Sequence, residues 1–216
     1  MSDPHPTTLA HHFEDHEQQH EASLIGMWAF IAQEIMFFGG LFAAYALFRN
    51  RYHSAFFEGS AHLDVTLGTV NTAVLICSSL TMALAVRCAQ LGQHKKIALW
   101  VVGTIGLGGV FLGIKAFEYA HKFHEGHVPG LAWHPGADAD PNLLTFYGIY
   151  FAMTGMHALH MVIGMVIMGV VAFRALRKRC MPENYIGVEV LGLYWHFVDL
   201  VWIFLFPLLY LLNRHA

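Results

Sequence analysis

Apolar residues run along this chain in five long stretches, with polar residues gathered between them. The stretches cover residues 24–48, 67–86, 97–114, 143–173 and 188–212. About 20 mainly apolar residues in a helix cross roughly 30 Å of hydrocarbon, so each stretch predicts a membrane-spanning helix. None shows the strict alternation of a membrane barrel strand. The fold expected is therefore all-α: a polytopic membrane protein with a bundle of five transmembrane helices over residues 24–212. A polar, His- and acid-rich N-terminal tail, residues 1–23, precedes it. That tail has no Lys or Arg and does not fit a signal peptide. Its His11, His12, Glu14, Asp15, His16, Glu17, His20 and Glu21 read as a solvated, pH-sensitive segment.

Composition agrees with this pattern. Of 216 residues, 56% are apolar and 12% are charged, whereas soluble domains run at roughly 45–50% and about 25%. Glu34, Glu189 and Asp199 are the three charged residues inside the five stretches, so charge is kept out of the bilayer except at a few chosen positions. A net charge of -3 without a basic run excludes nucleic-acid binding, which needs clustered cations to neutralise phosphates. Cys77, Cys88 and Cys180 are odd in number and far apart, which suggests neither a disulfide framework nor a thiolate metal site.

Loop charge sets the orientation. Arg87, Lys95, Lys96, Arg174, Arg177, Lys178 and Arg179 follow the second and fourth stretches, against Arg49, Arg51, Lys115, Lys122 and Arg214 on the other side. The denser set predicts a cytoplasmic N-terminus, with Trp28 and Trp100 at the cytoplasmic interface. Segment 115–142 carries Glu118, His121, His124, Glu125, His127 and His134. These resemble metal ligands in type. The reading favoured is a helix that runs out of the membrane as a wet amphipathic extension and turns at Val128, Pro129 and Gly130.

The intramembrane polar residues are the candidate site. Glu34 lies near the middle of the first stretch, where a bare carboxylate is costly and the neutral acid is expected. His157 and His160 share a face of the fourth stretch with Met153 and Gly164, and Glu189, His196 and Asp199 share a face of the fifth. One reading has these two faces satisfy one another's hydrogen bonds, as membrane interiors require. The sharper reading makes them proton carriers or redox-metal ligands. His157, His160 and His196 are too few for a haem-copper catalytic centre, although one b-type haem on His196 and a fourth-stretch histidine is geometrically allowed. Small-residue pairs, Gly109 with Gly113, Gly39 with Ala43, Gly40 with Ala44 and Gly148 with Ala152, predict internal helix contacts.

Four blocks then carry a family pattern: Trp28 to Gly39; Asn71-Thr72 with Ser78-Ser79; Thr154 to His160 with Gly164; and Tyr194 to Trp202 with His196 and Asp199. In order and each on its own helix, they make the chain resemble the cytochrome c oxidase subunit III family. The resemblance spans residues 23–212, in a short five-helix form. It implies a non-catalytic subunit III of a haem-copper terminal oxidase, without haem, copper or any other metal of its own. Such a subunit packs beside catalytic subunit I, which carries those centres, and among membrane lipids. Its implied role is to stabilise that partner during turnover and support proton uptake from the cytoplasmic side. Glu34, His157, His160, His196 and Asp199 match the family's embedded polar positions, and a prokaryotic plasma membrane is the implied setting. Many members have seven helices with a lipid-filled cleft, and this chain has the last five. An accessory subunit of a nitric oxide reductase is the alternative, supported by Lys115 to Tyr119 and Phe206 to Tyr210. A haem b electron carrier and a proton-coupled transporter built on Glu34 are the other classes weighed.

Overall fold

The computed structural model describes residues 13–130, 132–134, 140–176 and 185–212. His11, His12, Arg177, Lys178, Arg179, Cys180 and Arg214 lie outside them. Among the described residues, five helices are long and apolar enough to span a membrane: α1 (His16–Arg51), α3 (Val65–Gln90), α4 (His94–His124), α5 (Leu143–Leu176) and α6 (Ile186–Tyr210). A short helix, α2 (His53–Ala61), follows α1, and a two-strand hairpin of β1 (His127–Val128) and β2 (Ala132–Trp133) follows α4.

The helices outrun the apolar stretches because hydropathy measures the bilayer slab, whereas backbone bonding continues until a cap stops it. Asp15 caps α1, its carboxylate accepting from the Gln18 amide at 2.7 Å. Residues 16–23 of the polar tail therefore form the first turns of α1. Asp64 caps α3 by accepting from the amides of Thr66 and Leu67. Gly92, at φ 67°, closes the tight turn into α4, where a residue with Cβ is disfavoured. Helix α4 runs ten residues past the apolar stretch, to His124. The chain then turns at Gly126 (φ 75°) and Gly130 (φ 81°), the second where the sequence placed a turn.

Helix α6 is the centre of the bundle. Of its apolar window 56% is buried inside the chain, against 22–33% for the others. It packs on α3 and α5, while α1 leans on α5 and α6 from outside. Trp195 and Trp202, seven residues apart on α6, are fully buried; their indole N–H groups donate to Ser78 and Thr72 on α3 at 3.1 Å each. The Tyr45 hydroxyl donates to the Leu208 carbonyl and ties α1 to the far end of α6.

The small-residue pairs expected to make internal contacts do not. A Cβ built on Gly39, Gly40, Gly109, Gly113 or Gly148 meets nothing within 4 Å, because these positions face outward. The tight approaches lie elsewhere, at Gly108 and Gly164 against Trp195, Gly192 against Val86, and Gly59 against Phe146. At Gly59 on α2 an added Cβ would sit 2.2 Å from the ring of the fully buried Phe146. Gly59→Ala is expected to lower stability by about 1–3 kcal/mol through overpacking. Thermal unfolding in detergent checks this, and an unchanged midpoint would mean that α2 docks loosely.

Candidate functional site: polar groups inside the bundle

Spacing along each helix brings the buried polar residues to inner faces, but the structure sorts them into separate pairs. Glu34 on α1, 8% exposed, meets His160 on α5: Oε2 lies 3.2 Å from Nε2. His160 Nδ1 is 2.9 Å from the Met156 carbonyl, which only accepts, so Nδ1 carries a hydrogen. Nε2 therefore either accepts from a protonated Glu34 or donates as imidazolium to the carboxylate. In both states the pair holds one shared proton and no net charge, which suits a low-dielectric setting. The Tyr194 hydroxyl donates to the His160 carbonyl at 2.9 Å and fixes that stretch of α5 against α6.

A cavity of about 500 Å³ between α1, α5 and α6 reaches this pair and is lined towards the α6 N-terminus by Gly187, Val190 and Leu191. At the same end His20 on α1 pairs with Glu189 on α6, Nε2 to Oε2 2.8 Å, both partly exposed.

The remaining sequence candidates go elsewhere. His196 Nδ1 lies 2.7 Å from the Ser79 hydroxyl on α3. Asp199, 4% exposed, has no hydrogen bond to either oxygen among the described residues. His157, 1% exposed, is likewise unbonded there and packs against Phe111 and Trp202, with ring centroids 5.5 and 5.3 Å away. The side chains of His157 and His160 on α5 thus do not bond those of Glu189, His196 and Asp199 on α6. Glu34 bonds His160, and His20 and Ser79 bond Glu189 and His196.

A further cluster was missed by sequence reasoning, which placed Lys115 and Glu118 in a wet extension. Both are buried, at 4% and 5% exposure. Lys115 Nζ donates to Glu118 Oε2 at 3.1 Å and to the hydroxyls of Tyr150 and Tyr210 at 2.9 and 2.8 Å, which uses all three of its hydrogens. Both tyrosines then donate to Glu118 Oε1, at 2.7 and 2.6 Å. The ammonium also lies 5.3 Å from the ring centres of Tyr119 and Trp202, within cation–π range. This closed network ties α4, α5 and α6 together.

Beyond it, Lys122 is buried at 3% exposure and donates to the His62 carbonyl and to Glu125. His121 beside it is exposed, as a wet helix end requires. His127 stacks on Tyr147 at 4.9 Å and lies 5.6 Å from His62; burial pushes its imidazole below the ordinary value. Asp140 is held below the usual carboxylate range by the Ser54 hydroxyl, 2.6 Å away, and the Asn142 amide. Among the described residues no group of three or more His, Cys, Asp or Glu side chains is placed to share a metal ion.

The family model for cytochrome c oxidase subunit III matches residues 8–214. The chain belongs to that family. It is 32% identical over 202 residues to cytochrome c oxidase subunit 3 of Thermostichus vulcanus, covering 93% of this chain and 92% of that protein. It is 34% identical over 191 residues to cytochrome c oxidase subunit 3 of Corynebacterium diphtheriae, covering 88% and 87%. Quinol oxidase subunit 3 of Bacillus spizizenii is 31% identical over 193 residues, with coverage of 88% and 87%. The match takes in all five spanning helices, so the buried pairs described above lie within a subunit III of the haem-copper oxidases. Such a multi-pass subunit works in a complex with other oxidase subunits.

Proposed function

We propose that this chain is the non-catalytic subunit III of a haem-copper terminal oxidase in a prokaryotic plasma membrane, with its N-terminus in the cytoplasm. It packs beside catalytic subunit I, which carries the haem and copper, stabilises it and supports proton uptake from the cytoplasmic side. One observation carries the proton role. Glu34 Oε2 lies 3.2 Å from His160 Nε2 at the inner end of a cavity that leads towards the end of the bundle where His20 pairs with Glu189. Loop charge supports a cytoplasmic position for that end. A proton at that depth can move between the two members of the pair without leaving a net charge in hydrocarbon, and the polar surface pair at the cavity's far end supports exchange with the cytoplasmic side.

Affinity purification of the tagged chain from its native membrane tests the assembly. A stoichiometric subunit I with its haem spectrum should accompany it, and the complex should reduce oxygen. Complex stripped of this chain should start at a comparable rate and lose activity sooner during turnover. Recovery of the chain without a haem-copper partner, or equal lifetimes with and without it, would refute the reading.

A further inference from the structure

The polar groups of the bundle differ in how completely the chain satisfies them. Glu34 and His160 bond each other, and the Lys115 cluster closes on itself. His157 is sealed beneath aromatic rings. His196 is different. Its Nδ1 is bonded to Ser79, but no described group bonds its Nε2, and the ring is only half-buried.

His196 and Ser79 line a groove of about 430 Å³ between α3 and α6, with Asp199 beside them and Leu75, Ile76 and Leu80 completing much of the wall. Ser79 is the fifteenth residue of the 26-residue α3 and His196 the eleventh of the 25-residue α6, so the groove sits near mid-bilayer. Lipid tails cannot hydrogen-bond an imidazole nitrogen there, and an unsatisfied polar group in hydrocarbon is costly. A polar side chain on a neighbouring helix removes that cost. The rim suits a helix: Ile76, Leu80, Leu200 and Ile203 are 44–63% exposed, and the small, exposed Ala83 allows close approach.

We propose that a membrane-spanning helix of another oxidase subunit docks in the α3/α6 groove and presents a hydrogen-bonding side chain to His196. This rests on the subunit reading above and names the face that subunit uses. The outward-facing imidazole selects a protein partner over a lipid, because only the protein supplies a donor or acceptor at that depth.

The test is photocrosslinking within the whole complex in its native membrane, using a tagged chain with a photoreactive amino acid at Leu80 or Ile203, and at the exposed Val166 of α5 as the comparison. Adducts from Leu80 and Ile203 should contain another subunit, and those from Val166 lipid. His196→Phe should lower the recovery of that subunit about tenfold, the equivalent of one buried hydrogen bond. The crosslinks, made with His196 intact, decide the matter if that variant folds poorly. If other subunits co-purify while Leu80 and Ile203 capture lipid alone, the docking face is wrong and the subunit reading stands. If no oxidase subunit co-purifies, both fall.

Discussion

Lys115→Met is expected to destabilise the chain by about 3–5 kcal/mol, the range for removing one member of a buried ion pair. Methionine fills a similar volume, so the loss comes from charge rather than from a cavity. Glu118 would keep the hydroxyl hydrogens of Tyr150 and Tyr210 on Oε1 but lose the only cation that bonds it among the described residues. The tyrosine oxygens would lose a donor at the same time. A second change separates these causes. Adding Glu118→Gln removes both charges while leaving an amide oxygen to accept from the two tyrosines. The double variant should therefore recover most of the lost stability. Unfolding midpoints of the two proteins in detergent, with their levels in the membrane, check this. Equal midpoints would show that the ion pair is not what holds α4 to α5 and α6.

How far the fold was legible follows from which physical signal each feature leaves. Five apolar stretches gave five spanning helices, because no other backbone arrangement satisfies so long a run inside lipid except a closed barrel. Helix ends were less legible. The Asp15 cap and the continuation of α4 to His124 depend on hydrogen bonds that a hydropathy pattern does not record. The small-residue pairs misled for a related reason. A glycine spacing states that helices can approach, not which face the remainder of the bundle leaves for them. Gly109 and Gly113 face outward while Gly108, next in sequence, meets Trp195.

The site was read at the level of individual residues and missed at the level of pairing. Glu34, His160, Glu189 and His196 stood out because each is polar within an apolar stretch. Their partners were divided among three helices, and one partner, His20, lay in the polar segment that precedes the first apolar stretch. Lys115 and Glu118 fell just past the third stretch and were assigned to water. Three residues apart, they share a helix face, and Tyr150 and Tyr210 are aromatic hydroxyls at the corresponding depth of α5 and α6. That combination is a usable signal. A Lys and an acid three residues apart at the end of an apolar run, with buried tyrosines on neighbouring helices, indicates a folded-in pair rather than a wet end.

Glu34→Ala and Glu34→Gln should separate packing from proton handling at the α1/α5 pair. Alanine leaves a void beside the buried Phe38 and His160 and strips His160 Nε2 of its partner. The cavity and the lost bond together predict a destabilisation of about 2–4 kcal/mol, and a lower yield of complex. Glutamine keeps the shape. With the Met156 carbonyl holding the hydrogen on Nδ1, Nε2 can accept from the glutamine amide, so the bond survives and midpoint and yield should stay near wild type. What glutamine cannot do is give up or take a proton at that position. If the pair handles protons, the Gln variant should assemble normally yet take up protons more slowly during oxygen reduction, with the deficit growing as the pH on the cytoplasmic side rises and protons there become scarce. Unchanged uptake in the Gln variant across pH would confine Glu34 to packing α1 against α5, and unchanged stability in the Ala variant would remove even that role.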